Sequence, residues 1–202
     1  MLTPSAVRQI ANPLADEFDR LTATQPDEFD GELYFAAWLA RRELVKTYSW
    51  AIPSERAVSR LVELSPLLEV GAGAGYWASL ITQAGGDILA VDEAPVGSGV
   101  ENMWLDGTSW HPVEVGGVET IALHPERTLF LCWPPYESPM ALECLRAYRG
   151  DTFAYVGEPH GGCTGDDAFF DELTRAWCVV EEIELPTWPD IHDSFTIFRR
   201  GN

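Results

Sequence analysis

The sequence predicts an α/β domain: a mostly parallel sheet with helices on both faces, closed by an antiparallel pair of strands. Three observations predict it. Short apolar runs alternate with amphipathic stretches along the chain, the pattern of parallel strands linked by covering helices. A glycine-rich segment, Gly71-Ala72-Gly73-Ala74-Gly75, joins an apolar run to an apolar helical pattern. The last two apolar runs alternate more strongly and face each other across the loop Pro186–Asp193.

Residues 1–30 are polar, with acids at Asp16, Glu17, Asp19, Asp27, Glu28 and Asp30 and one short helix expected around Pro13–Leu21. From Gly31 the spacing of Leu33, Phe35, Ala36, Trp38, Leu39 and Leu44 predicts a helix to about Tyr48, and Pro53 breaks it. Ser54 is a suitable N-cap for a helix with Ala57, Val58, Leu61 and Val62 inward, ended by Pro66. A first strand follows at Leu67–Val70, then the glycines, then a helix through Trp77, Ala78, Leu80 and Ile81. The second strand, Ile88–Val91, ends in Asp92. Pro95, Gly97, Gly99 and Gly107 mark a loop to about His111. Val113–Val115 and Val118–Leu123 read as a third strand and a connection. Leu129–Cys132 is a buried fourth strand stopped by Pro134-Pro135. Pro139–Tyr148 reads as a helix and Phe153–Val156 as the fifth strand. Asp166–Trp177 reads as a helix capped by Thr164 or Asp166. Cys178–Leu185 and Ser194–Phe198 form the closing pair. No repeat, low-complexity tract or linker interrupts this order, so residues 1–202 are expected to form a single domain, with 1–50 a helical N-terminal extension.

Composition narrows the function classes. The formal net charge is −19, from 32 acids and 13 bases, which disfavours a phosphate backbone as partner and leaves a small molecule or a peptide. No apolar run approaches the length of a membrane span, and Met1-Leu2-Thr3-Pro4-Ser5 is not a secretory start. The cysteines Cys132, Cys144, Cys163 and Cys178 are scattered, without metal or disulfide spacing, so a cytoplasmic protein with reduced thiols and no metal is expected.

The glycine segment carries the chemistry. Strand, glycine turn, helix, strand and acid is the order of a nucleoside site: glycines let the backbone approach a ligand, and an acid about 20 residues on accepts from ribose hydroxyls. The spacing decides which nucleoside. The last small position of a dinucleotide fingerprint is occupied here by the large Tyr76, there is no G-K-S or G-K-T phosphate cradle, and no Lys or Arg lies between Glu69 and Asp92. Two carboxylates, Glu69 and Asp92, favour a cationic ligand. This pattern resembles the first two motifs of class I methyltransferases that use S-adenosylmethionine (SAM). The resemblance implies a Rossmann-like, seven-stranded, mostly parallel sheet with an antiparallel final strand. It implies SAM as cofactor, with Glu69 near its amino acid end and Asp92 on its ribose. Gly71, Gly73, Gly75, Trp77 and Cys132 complete the expected cofactor side.

Trp133-Pro134-Pro135-Tyr136 follows the fourth strand, and in an open α/β sheet ligands bind outside the carboxyl ends of the strands. It is similar to the Asn- or Asp-led Pro-Pro-Tyr motif of methyltransferases that act on nitrogen. The departure is Trp133, whose indole donates a hydrogen bond and accepts none. The backbone carbonyl of Trp133 or Pro134 then remains to accept from a target nitrogen, and Trp133 can offer its face to a cation or ring. After the fifth strand, Glu158 and His160 are alternative general bases beside Cys163, whose acidic surroundings oppose a nucleophilic role. Trp133, Tyr136, Glu158 and His160 are therefore expected around the acceptor, with His192 a weaker candidate and Trp50 a cover over the cofactor. The reading is a methyltransferase acting on a small molecule or peptide. The alternatives are a non-catalytic nucleoside-binding protein of the same fold and an NAD-binding oxidoreductase.

Overall fold

The computed structural model describes residues 11–22 and 31–201; much of the polar start expected over residues 1–30 lies outside them. Helices α1 (Pro13–Thr22), α2 (Gly31–Thr47) and α3 (Glu55–Glu63) precede the sheet. Then come β1 (Leu67–Val70), α4 (Tyr76–Gln83), β2 (Ile88–Asp92), β3 (Glu114–Val115), α5 (Thr120–Leu123), β4 (Thr128–Cys132), α6 (Met140–Ala147), β5 (Thr152–Gly157), α7 (Asp167–Ala176), β6 (Trp177–Glu184) and β7 (Ser194–Arg200). The seven strands are ordered β3-β2-β1-β4-β5-β7-β6. The first five are parallel, and β7 runs antiparallel to both β5 and β6. This is the Rossmann-like arrangement expected, with β1 beside β4.

Alternation along the strands explains the layers. In β4, Phe130 faces one core while Leu129 and Leu131 face the other. The first core packs α1, α3 and α4 against the sheet through Leu14, Leu61, Trp77 and Ile81. The second packs α5, α6 and α7 through Ile121, Leu145 and Phe169. Capping follows the residues: the hydroxyl of Ser54 accepts from Ala57 N (3.2 Å), and the carboxylate of Asp166, rather than Thr164, accepts from Phe169 N (2.8 Å). Thr164 is instead buried, with its hydroxyl 2.7 Å from that of Tyr155.

The two sheet edges differ. β3 has only two residues. β6 has eight and carries a bulge between Val179 and Glu181, with Val179 and Val180 58% and 54% exposed. Arg56 and Arg60 reach Glu181 at 3.2 and 2.8 Å.

Candidate functional site

The carboxyl ends of parallel strands share one side of the sheet, and there the loops after β1, β2 and β4 open on one crevice of about 920 Å³. That lies near the upper end of the roughly 300–1,000 Å³ usual for ligand pockets.

One wall is the glycine turn. Gly71 and Gly73 line it in the left-handed region, at φ +80° and +55°. A Cβ on Gly71 would meet only the flexible end of Met140, at 3.0 Å from Cε, so the constraint here is the backbone conformation rather than space. Asp92 lines the crevice beside them, and its two oxygens accept from Gly73 N and Ala94 N, both at 2.9 Å. The carboxylate therefore fixes the turn and keeps further lone pairs for a ligand. Glu69 is 2% exposed, lines the same crevice, and its Oε2 has no hydrogen-bond partner among the described residues. Burial, with the nearby Asp92 charge second, pushes its carboxyl up to about 8.

The remaining cofactor-side residues divide. Cys132 lines the crevice, and burial raises its thiol pKa well above the ordinary range, so it serves as wall and not as nucleophile. Trp77 lines it too, but the indole is buried edge-on against Phe130, 5.8 Å between centroids. Gly75 does not line it, which corrects the expectation. It caps α4 at φ +75°, and the space a Cβ would need is filled by His111 and Val113, each 3.0 Å away. Its glycine serves packing of the 111–113 segment on the turn. Tyr76, too large for a dinucleotide fingerprint, buries its ring and hydrogen-bonds Asn12 Oδ1 (2.7 Å) and Leu14 N (3.2 Å), tying α1 to the turn.

The other wall is aromatic. Trp133 is a bulky residue at φ +50°, a strained conformation that costs about 1–3 kcal/mol. Three contacts hold it there. Its N–H donates to Val156 O (2.8 Å), its ring stacks on Trp50 at 5.0 Å and 16°, and its indole Nε1 donates to Asp193 Oδ1 (2.8 Å). The Arg41 guanidinium lies 5.2 and 5.4 Å from the Trp50 and Trp133 ring centres. Trp104 meets Trp50 edge-on at 5.5 Å, and Tyr136 completes the wall. Trp50 thus stands in this aromatic wall, between Trp133 and Trp104. The Pro134 carbonyl already accepts from Gly165 N at 3.0 Å.

The expected bases are placed elsewhere. Glu158 is buried behind the wall, accepting from Cys163 N (2.6 Å) and His192 N (3.2 Å), and it does not line the crevice. His160 is also outside: its ring stacks on Phe170 at 5.2 Å, and its Nε2 lies 3.0 Å from Asp167 Oδ1. The turn closed by Gly162 N to Pro159 O, with Gly161 at φ +91°, carries His160 toward α7. Cys163 does reach the crevice, and burial, then Glu158, raises its thiol pKa. The exposed His192 ring lies 3.7 Å from Glu158.

Sequence reasoning missed Asp193 and Arg41. Asp193 is buried, its Oδ2 has no hydrogen-bond partner among the described residues, and burial above all, with Glu158 adding, pushes its carboxyl up to about 7 against the opposing Trp133 and Arg41 contacts. It also missed Trp104, Glu93, Glu101 and Glu143, which line the crevice. The lining holds five carboxylates, Glu69, Asp92, Glu93, Glu101 and Glu143, and no Lys or Arg. Among the described residues no group of His, Cys, Asp or Glu is arranged to hold a metal, and no helix is long and apolar enough to cross a membrane.

No protein-family model and no curated protein matches the chain. Solved structures do. Magnesium protoporphyrin IX methyltransferase from Synechocystis PCC 6803, solved with bound SAM, is 11% identical, with a TM-score of 0.50 over 100% of this chain and 99% of that one. The 1,6-didemethyltoxoflavin-N1-methyltransferase of Burkholderia thailandensis is 16% identical, with a TM-score of 0.45 over 89% and 94%. The N-methyltransferase NodS of Bradyrhizobium japonicum is 15% identical, with a TM-score of 0.45 over 73% and 96%. At these identities the likeness is one of fold, and the fold is that of SAM-dependent class I methyltransferases.

Proposed function

We propose that the protein is a SAM-dependent methyltransferase acting on a small-molecule or peptide acceptor. The observation that carries this is the crevice chemistry: a left-handed glycine turn beside Asp92 and an unpartnered buried Glu69, in a lining with five carboxylates and no base. Such a lining repels the pyrophosphate of NAD or ATP and attracts a sulfonium and an ammonium. The residues fit SAM. SAM would lie along the Gly71–Gly73 turn, Asp92 would accept from its ribose hydroxyls, and Glu69 would stand near its cationic amino acid end. Bound SAM supplies an electrophilic methyl group; the protein aligns the acceptor and excludes water. The methyltransferase resembled at a TM-score of 0.50 was solved with SAM bound, which supports the reading.

Calorimetry with SAM, S-adenosylhomocysteine, NAD and ATP tests it. The first two are expected to bind, and a preference for NAD or ATP overturns the proposal. A specific observation favours a second reading, a non-catalytic SAM-binding protein: the motif position that orients an amine elsewhere is Trp133, and its one polar atom is engaged by Asp193. Release of S-adenosylhomocysteine over an acceptor panel separates the two.

A further inference from the structure

The acceptor end of the crevice has a chemistry of its own. Trp50 and Trp133 are stacked on each other and approached by Arg41, so their faces are largely taken. Trp104 and Tyr136 are not: they are 53% and 60% exposed while lining the crevice. Two large aromatic faces left open in a cavity suit a flat ring. The charges around them are of one sign. Glu101 stands three residues before Trp104 in the same loop, and Glu143 lines the crevice from α6. Arg41 is not among the lining residues; it sits against the two indoles within the influence of Asp193 and Glu158. An anionic acceptor would find no counter-ion here, and a ringless amine would leave both aromatic faces wet.

We propose that the acceptor is an aromatic ring carrying a protonated amine, of the arylalkylamine kind, with the ring on Trp104 and Tyr136 and the ammonium among Glu101 and Glu143. This rests on the reading that the acceptor enters the SAM crevice, but its test does not require turnover.

The experiment is calorimetric titration of the full chain, with and without S-adenosylhomocysteine, using three probes: tryptamine, indole-3-propionate and butylamine. Tryptamine is expected to bind about tenfold or more tightly than either other probe, since one lacks the charge and the other the ring. Trp104→Ala, in an exposed loop position, should weaken tryptamine about five- to tenfold. Glu101→Gln should weaken it and flatten its salt dependence. Circular dichroism confirms that both variants are folded. Equal or tighter binding of indole-3-propionate or butylamine overturns the proposal, as does wild-type tryptamine affinity in both variants. A protein that binds SAM but fails these criteria loses the acceptor class and keeps the proposed cofactor. One that meets them but does not bind SAM keeps the amine site and loses the cofactor.

Discussion

The two walls of the crevice are built in different ways. The glycine wall is local: Glu69, Gly71, Gly73 and Asp92 lie within one strand–turn–helix–strand unit, and the Asp92 carboxylate closes it by accepting from Gly73 N. The aromatic wall is assembled across the chain. Arg41 and Trp50 come from the N-terminal helix region, Trp104 from the loop after β2, Trp133 from the end of β4 and Asp193 from the loop before β7. A wall set by local backbone geometry tolerates no change of residue at its turns. A wall set by distant side chains can be altered one residue at a time while the glycine turn stays fixed.

The sharpest way to break this comparison is Gly73→Val. A β-branched residue at φ +55° is strained, and its side chain enters the crevice. SAM binding should fall by more than about 100-fold in calorimetry, the scale of roughly 3 kcal/mol of strain and intrusion. Near-native SAM affinity in that variant would show that the turn does not hold the ligand.

Asp92→Ala comes next. It removes a ribose acceptor and also releases Gly73 N and Ala94 N, so SAM binding should weaken by about 1–3 kcal/mol and thermal stability should drop as well.

Glu69 makes a pH test. Its carboxyl is pushed up to about 8, so the ligand-free protein holds it protonated at neutral pH. A cationic ligand favours the ionised form, so SAM affinity should rise by about tenfold between pH 6.5 and 8.5, and Glu69→Gln should remove that slope. The ligand-free protein should show the opposite trend. A carboxyl raised from 4.5 to about 8 by folding stabilises the fold at low pH, and that contribution is lost as pH rises through this window. Melting temperatures of the wild type and Glu69→Gln should therefore converge at the acid end in the slope they show and separate toward pH 8.

On the other wall, Trp133→Ala should reduce methyl transfer about tenfold or more while SAM affinity stays within about twofold, since the ring braces Trp50, which in turn meets Trp104, and lies apart from the glycine turn. The smallest effect is His160→Ala. With its ring on Phe170 and Asp167, outside the crevice, it should change neither transfer nor SAM affinity beyond about twofold. A large loss there would reopen the histidine as a base.

The local wall was legible in the sequence because its residues sit close together along the chain. The spacing of Glu69, the glycines and Asp92 encodes strand, turn and ligand approach without reference to the rest of the chain. Gly75 shows the limit of that reading, because its lack of a Cβ accommodates His111 and Val113, which no spacing reveals. Strand and helix positions were legible to within about two residues, β1 among them, because Pro or Gly punctuates most elements; α7 passes into β6 at Ala176–Trp177 with neither. The distant wall was legible only at its Pro-Pro-Tyr end. Asp193 stood beside the noted His192, yet its bond to an indole 60 residues away has no sequence signature. His160 and Glu158 were read from residue type and a glycine-rich context, and the turn at Gly161–Gly162 directs them away from the crevice.

The long outer strand β6 bears on how this protein fails under stress. Its free edge carries Val179 and Val180, half exposed, in reach of any other chain's unpaired strand. The bulge and the acids Glu181, Glu182 and Glu184 guard it, and the net charge of −19 keeps copies apart. The acids and the net charge both rest on carboxylates, so both weaken together as the medium approaches the isoelectric point near 4.3. Acidified samples should lose solubility through strand-on-strand stacking along β6 while the crevice remains formed, and Val180→Lys, which restores charge to that edge at low pH, should keep them clear.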